Sequence, residues 1–282
     1  MNVRSLRAIA AATLVLAAAA ARAEEEESVL DRPPDKDAWP TELVRRPLTL
    51  AQGMFELTLP VNANLAPGAV GEPVFVNPSL YYGVTPNVTV GVRHFVGLCV
   101  TGSSNGCGDV YDDVSVDSIW SFVREQNTDV ALGAALNASH LDPVTLNAEI
   151  RLAARYRMGS VAAVTVAPQL NLGLTERDTQ ATIVGTNATT ASGNREVLTI
   201  PVTLQVQGTD RLAVAVSTAI AGPLDPQVGG FGDSYTIPLA AEVDYAVTNM
   251  FDLGANFSFT NLAGKNSTSD ARFGKVFARA RF

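Results

Sequence analysis

Residues 144–157 read VTLNAEIRLAARYR, and from Leu146 onward the stretch alternates with few faults. Leu146, Ala148, Ile150, Leu152, Ala154 and Tyr156 share one face; Asn147, Glu149, Arg151, Arg155 and Arg157 share the other. An extended chain sends successive side chains to opposite faces, so this pattern reads as a β-strand with one apolar and one charged side. What the apolar side meets decides the fold. In a soluble sandwich it packs on a second sheet and the polar side meets water. In a membrane barrel it meets lipid, and the polar side lines a lumen.

The same texture runs from about Arg46 to the last residue, as twelve segments of roughly ten residues separated by turn clusters. GMFELTLPV (53–61) is the first, DVSVDSIWSFV (113–123) the fourth and FDLGANFSFT (251–260) the eleventh. The twelfth, KVFARARF (275–282), sets Val276, Ala278, Ala280 and Phe282 against Lys275, Phe277, Arg279 and Arg281. No 3.6-residue period is strong enough for a helix.

Alternation alone fits both architectures; the connections separate them. Tight turns follow the even-numbered segments, at Thr85-Pro86-Asn87, Gln126-Asn127-Thr128, Met158-Gly159-Ser160, Gly208-Thr209-Asp210 and Thr248-Asn249. Longer loops follow most odd-numbered ones, among them the stretches Thr175 to Gly193 and Gly222 to Asp233; Leu141-Asp142-Pro143 is a short exception. Short turns on one rim and long loops on the other mark outer-membrane barrels, the short ones being periplasmic. Apolar-face aromatics also gather near the short turns: Phe55, Tyr82, Phe122, Tyr156, Tyr245, Phe251 and Phe282. An interfacial girdle explains this sorting, and a sandwich does not. The expected fold is all-β, a transmembrane antiparallel up-and-down barrel of about twelve strands.

The chain opens MNVRSLRAIAAATLVLAAAAARA, with Arg4 and Arg7 before an apolar run from Ala8 to Ala21 and the small-x-small pattern Ala21-Arg22-Ala23. This reads as a secretory signal cleaved after residue 23. Removing its three arginines takes the formal net charge from −8 to −11. Nucleic acid is therefore not an expected partner, because phosphate contacts need clustered Lys and Arg. Cys99 and Cys107, in LCVTGSSNGCG, are expected to close a loop as a disulfide in an oxidising compartment. Two cysteines with no nearby His do not make a zinc site, and no cofactor is expected.

A signal peptide, alternating ten-residue strands and a last strand ending in Phe282 resemble the Gram-negative outer-membrane β-barrel proteins, over about residues 46–282. The resemblance implies an outer-membrane location in contact with lipid. It also implies that the barrel-assembly machinery reads Phe282 as its signal. Some barrels of this group are enzymes. Neither His94 nor His140 is followed two residues on by Ser, as the phospholipase type requires, and His140 and Asp142 are expected in a loop beside Pro143. An enzyme is not expected.

Parity directs Glu56, Arg93, Asp117, Glu149, Arg151 and Arg155 to the lumen, together with Arg157, Glu242, Asp244, Lys275, Arg279 and Arg281. A barrel of about eight strands is filled by side chains and one of about 16 holds an aqueous channel, so twelve is intermediate. Segments five and nine offer mostly Ala, Gly and Ser inward, which leaves space. The favoured function is a passive channel for small hydrophilic solutes with a mixed-charge lumen. The alternative is a non-conducting structural or surface-interaction barrel acting through its outer loops. Residues 24–45 precede the barrel as a Pro-rich extension, with eight acids against two bases from Glu24 to Glu42. Its composition favours a flexible periplasmic tail. A second possibility is that these acids sit at, or partly plug, the mouth carrying Arg155, Arg157, Arg279 and Arg281.

Overall fold

The computed structural model describes residues 35–95, 97–102, 113–141, 144–177, 181–184, 187–190, 194–224 and 230–282. The expected signal, the first part of the extension, Cys107 and Asp142 lie outside the described residues.

Twelve antiparallel strands form one closed barrel. They are β1 (Phe55–Asn64), β2 (Val74–Val76 continued by Ser79–Thr85), β3 (Val88–Arg93 continued by Leu98–Thr101) and β4 (Asp113–Arg124). Next come β5 (Thr128–Leu141), β6 (Val144–Met158), β7 (Ala162–Val166 continued by Gln169–Gly173) and β8 (Val197–Gln207). The last four are β9 (Leu212–Pro223), β10 (Leu239–Ala246), β11 (Phe251–Asn261) and β12 (Thr268–Arg281). Neighbours in sequence pair with each other, and β12 returns to β1 from Glu56↔Arg281 to Asn64↔Phe273. An even number of strands lets the first and last meet antiparallel. Closure removes the unpaired edge that an open sheet would expose.

The interruptions in β2 and β7 fall at Asn77-Pro78 and Ala167-Pro168, where proline has no N–H for the ladder. Around the second, Leu152 donates to the Pro168 carbonyl and Ala167 to that of Pro201, so the wall stays bonded. The break in β3 has another cause. The Asp113 carboxylate accepts the backbone N–H groups of Phe95 and Gly97, while His94 Nδ1 lies 2.6 Å from the Asp113 carbonyl oxygen.

The side chains are sorted inside out. Asp113, Ser115, Asp117, Ser121, Asp129, Glu149, Asp244 and Asp252 are buried, whereas Val116, Trp120, Leu136, Ile150, Leu152 and Val276 are exposed. A water-soluble protein of this size would reverse those two groups. The exposed stripe is what a hydrocarbon phase accepts, and the closed ladder pairs the strand backbones with one another. Aromatic contacts mark the short-turn rim. Phe55 lies 4.5 Å from Tyr82 and 5.5 Å from Phe282, ring centre to ring centre, and Trp120 lies 5.6 Å from Phe122. Phe55 and Phe282 also exchange backbone N–H···O bonds of 2.9 and 3.1 Å, so the terminal residue is pinned at the seam.

Two expectations change. The stretch from Thr175 to Gly193, read as a loop, contains a hairpin of Ala181–Val184 with Asn187–Thr190. His140, also read as a loop residue, belongs to β5, because the strand runs on to pair Leu141 with Val144 across a register shift.

Val276 pairs with Val61 on the outer face, well away from either rim. Val276→Arg is expected to destabilise the barrel in bilayers by roughly 2–4 kcal/mol, the cost of a lipid-facing cation near the midplane. Urea titration of the protein refolded into lipid vesicles measures this. An unchanged midpoint would mean that this face does not meet lipid.

Candidate functional site

The inner wall carries two ion-pair networks. In the first, Arg93 on β3 reaches Asp117 on β4 at 3.4 Å and Glu149 on β6 at 3.1 Å. Arg151 on β6 returns to Asp117 and Glu149, each at 3.3 Å, and the Tyr81 hydroxyl donates to Asp117 at 3.2 Å. The second network joins β10, β11, β12 and β1. Lys275 meets Glu242 at 3.0 Å and Arg279 meets Asp244 at 3.3 Å. Arg281 meets Glu56 at 2.7 Å and Asp252 at 2.8 Å.

These pairs lie along the wall, and small residues make that possible. Arg151 passes over Gly133 of β5, its cross-strand partner, at a position where any Cβ would meet the guanidinium. The Phe277 ring lies on Gly254 of β11 in the same way, and a Cβ there would overlap it. Lys275 and Arg279 sit 4.9 and 5.3 Å from the centre of that ring. Cation–π contact thus keeps this bulky apolar side chain flat under charged neighbours. Along β5 and β9 the inward residues include Ala131, Gly133, Ala135, Ala213, Ala215 and Ser217. Among the described residues no ion pair runs directly from one network to the other.

The chain's own N-terminal segment reaches from the second network to two arginines outside both, Arg155 and Arg157. Residues 39–54 cross the short-turn mouth before entering β1, and Trp39, Leu43, Val44, Leu50, Ala51 and Met54 are buried. Gly53 donates to the Gly83 carbonyl and Leu50 to Thr89 Oγ1. Leu48 donates to Asp129 Oδ2, and Val44 to Gln207 Oε1. Arg46 grips Asp252 through both terminal nitrogens, at 2.6 and 2.9 Å. Its carbonyl oxygen accepts from Arg155 at 3.2 Å and Arg157 at 3.3 Å. Arg155 donates as well to the Leu43 carbonyl and to Gln205, and Arg124 donates to Thr49 Oγ1. The Arg281 guanidinium lies 5.6 Å from the centre of the Trp39 ring.

A cavity of about 330 Å³ opens beside the segment, lined by Trp39, Arg46, Tyr81, Arg155, Asp244 and Arg281 among others. Against curated proteins the sequence has no match, and no family model fits it. Solved structures do resemble it in shape. The KdgM porin superposes with a TM-score of 0.55 at 7% identity, over 80% of this chain and 99% of that one. The NanC porin gives 0.51 at 9%, over 79% and 98%. An outer membrane channel from Pseudomonas putida F1 gives 0.56 at 12%, over 88% and 99%. This is the fold of the outer-membrane porins. At such identities the likeness concerns the porin fold alone.

Within that fold, ten of the twelve residues singled out from the sequence fall into the two networks, and Arg155 and Arg157 meet the N-terminal segment instead. Asp129, Asp252, Tyr81 and Arg46 were not among them, yet each binds at this mouth or wall. Polar parity beside a short turn was the available signal for Asp129 and Asp252. At the mouth carrying Arg155, Arg157, Arg279 and Arg281, the last two are answered by Glu56, Asp244 and Asp252. Of the extension's acids among the described residues, Asp35 and Asp37 are exposed and Glu42 pairs within the segment with Arg45 at 3.8 Å; Glu24 to Glu27 and Asp31 lie outside the described residues. Cys99 sits in the second part of β3, no described cysteine is free, and Cys107 lies outside the described residues.

Asp252→Asn removes the charge that fixes Arg46 and leaves buried guanidinium groups under-compensated. Trypsin cleavage after Arg45 should accelerate by about tenfold or more, which corresponds to about 1.4 kcal/mol of local opening, while the strands stay protected. Mass spectrometry of timed digests reads the site. An unchanged rate would show that this pair does not hold the segment.

Proposed function

We propose that the protein is an outer-membrane channel for passive passage of small hydrophilic solutes, closed at its periplasmic mouth by its own residues 39–54. The observation that carries this reading is the way inner charges are paired along the wall, over Gly and Ala, and not across the bore. A barrel built to be solid would use that space for interlocking side chains. Among the described residues no ion pair crosses from one network to the other, and the group that spans from the second network to Arg155 and Arg157 on β6 is Arg46, which belongs to the segment and not to a strand. The lumen charges Glu56, Arg93, Asp117, Glu149, Arg151, Arg155, Arg157, Glu242, Asp244, Lys275, Arg279 and Arg281 would then bias which solutes pass.

The porin fold supports this reading, and the KdgM porin has been described in complex with disordered oligogalacturonate. Three further assignments go with it. Phe282, paired at the seam and stacked on Phe55, serves as the mark for the barrel-assembly machinery. Cys99 and Cys107 close the outer loop as a disulfide. A cleaved signal delivers the chain across the inner membrane.

Planar-bilayer recordings test the channel. The full chain should show small or brief currents, and deletion of residues 24–50 should give larger, sustained ones. Arg46→Ala, which keeps the segment but loosens it, should raise the open fraction without the full gain. A bilayer sealed in all three cases, with the barrel shown folded by heat-modifiable mobility on a gel, would favour the non-conducting, loop-based alternative.

A further inference from the structure

Arg46 makes contacts that a free solute could make. Its guanidinium holds the Asp252 carboxylate at 2.6 and 2.9 Å, on the wall of β10 to β1. Its carbonyl oxygen, a few bonds away, accepts from Arg155 and Arg157 on β6. Two more bonds stay within the segment, from Nε to the Pro40 carbonyl and from Nη2 to that of Thr41. The mouth is therefore bipolar at this level, with a carboxylate on one side and two guanidinium groups on the other.

The basic side is poorly matched by what it holds. Arg157 is 1% exposed, yet its Nε and Nη1 have no partner, and neither has Nε of Arg155. The acid nearest to Arg157 is Asp129, at 3.5 Å. A single neutral carbonyl shared by two buried cations supplies acceptor capacity for only part of their donors. A carboxylate in its place would bring a second oxygen and a countercharge, and charge-assisted bonds are roughly twice as strong as neutral ones. On the acidic side, removing Arg46 leaves Glu56, Glu242, Asp244 and Asp252 facing Lys275, Arg279 and Arg281, a net charge of −1.

We propose that this junction is a binding site for a basic amino acid, filled by Arg46 as an intramolecular stand-in. Arginine bearing a free carboxyl group overlays the residue directly: its guanidinium meets Asp252, and its carboxylate replaces the Arg46 carbonyl between Arg155 and Arg157. The adjoining cavity gives access from the lumen, and its size is of the order found for small-molecule sites, about 300–1,000 Å³. The inference rests on the channel reading for its route of entry, but binding itself does not require conduction. Displacing Arg46 would make the solute both cargo and key.

The test uses the refolded full-length chain with Arg46→Ala, its barrel verified by heat-modifiable gel mobility. Equilibrium binding of radiolabelled L-arginine is measured in detergent, with agmatine, which lacks the carboxylate, and citrulline, whose neutral ureido group replaces the guanidinium cation, as competitors. Saturable binding is expected, with either competitor weaker than unlabelled arginine by about tenfold or more, the scale of one charge-assisted contact. Adding Asp252→Asn to this variant should weaken arginine by a similar factor. The unsubstituted chain should bind less, because its own Arg46 competes. Absence of saturable binding, or agmatine and citrulline matching arginine, would overturn the proposal. A barrel that binds arginine but never conducts would overturn the channel and not the site; one that conducts without binding would overturn the site alone.

Discussion

Everything in this barrel follows from the backbone hydrogen bonds between β1 and β12. In hydrocarbon there is no water to accept a bond from an unpaired N–H, so a spanning sheet must close on itself. Closure fixes the register from Glu56↔Arg281 to Asn64↔Phe273. With the register fixed, the period of two commits each residue to lipid or lumen, and a slip by one would turn the whole set over. Arg279 and Arg281 can alternate with Ala278, Ala280 and Phe282 only because the two faces meet different solvents.

Charges sent inward must then find partners in a confined space. Neighbouring strands supply them, and small residues on the strand between let the pairs lie flat: Gly133 under Arg151, Gly254 under Phe277 beside Arg279 and Asp244. The outcome is two separately balanced walls and a remainder. Arg124, Arg155 and Arg157 have one nearby strand acid, Asp129, while Asp252 attracts three arginines. The N-terminal segment settles that remainder, giving a cation to Asp252 and carbonyl and hydroxyl oxygens to Arg124, Arg155 and Arg157.

The barrel was legible because its signals are local. The alternation of 144–157 and the tight turns after even-numbered segments each depend on a few consecutive residues. Alternation also carried the second and seventh segments through Pro78 and Pro168, where the strands pause and then resume. The mouth was harder to read. Parity places Asp252 inside but is silent on what reaches it from 206 residues away in sequence. The composition of residues 24–45 favours a free tail, yet Trp39, Leu43 and Val44 within it are buried beside Arg46. Those apolar residues lack a helical or alternating period because they pack as an irregular strap. A strap's contacts are set by the barrel around it.

That strap is also ordered by its tether. Residues 48–53 are tied through backbone N–H groups to β2, β3 and β5, next to the point where the chain enters β1. Trp39, Val44 and Arg46 lie farther along and reach β12, β8 and β11. Being covalently continuous with the wall, the segment faces its sites at high effective concentration, so contacts of modest individual strength suffice to keep it seated. The same continuity means that it cannot leave as a unit. The far end must release first, while the residues beside β1 stay bonded, and Arg46 stands at the boundary between the two parts. Asp252 keeps Arg279 and Arg281 when Arg46 departs, whereas Arg157 loses an acceptor that no other described residue replaces. Arg155 and Arg157 therefore depend on the segment for acceptors more than Asp252 depends on it for donors.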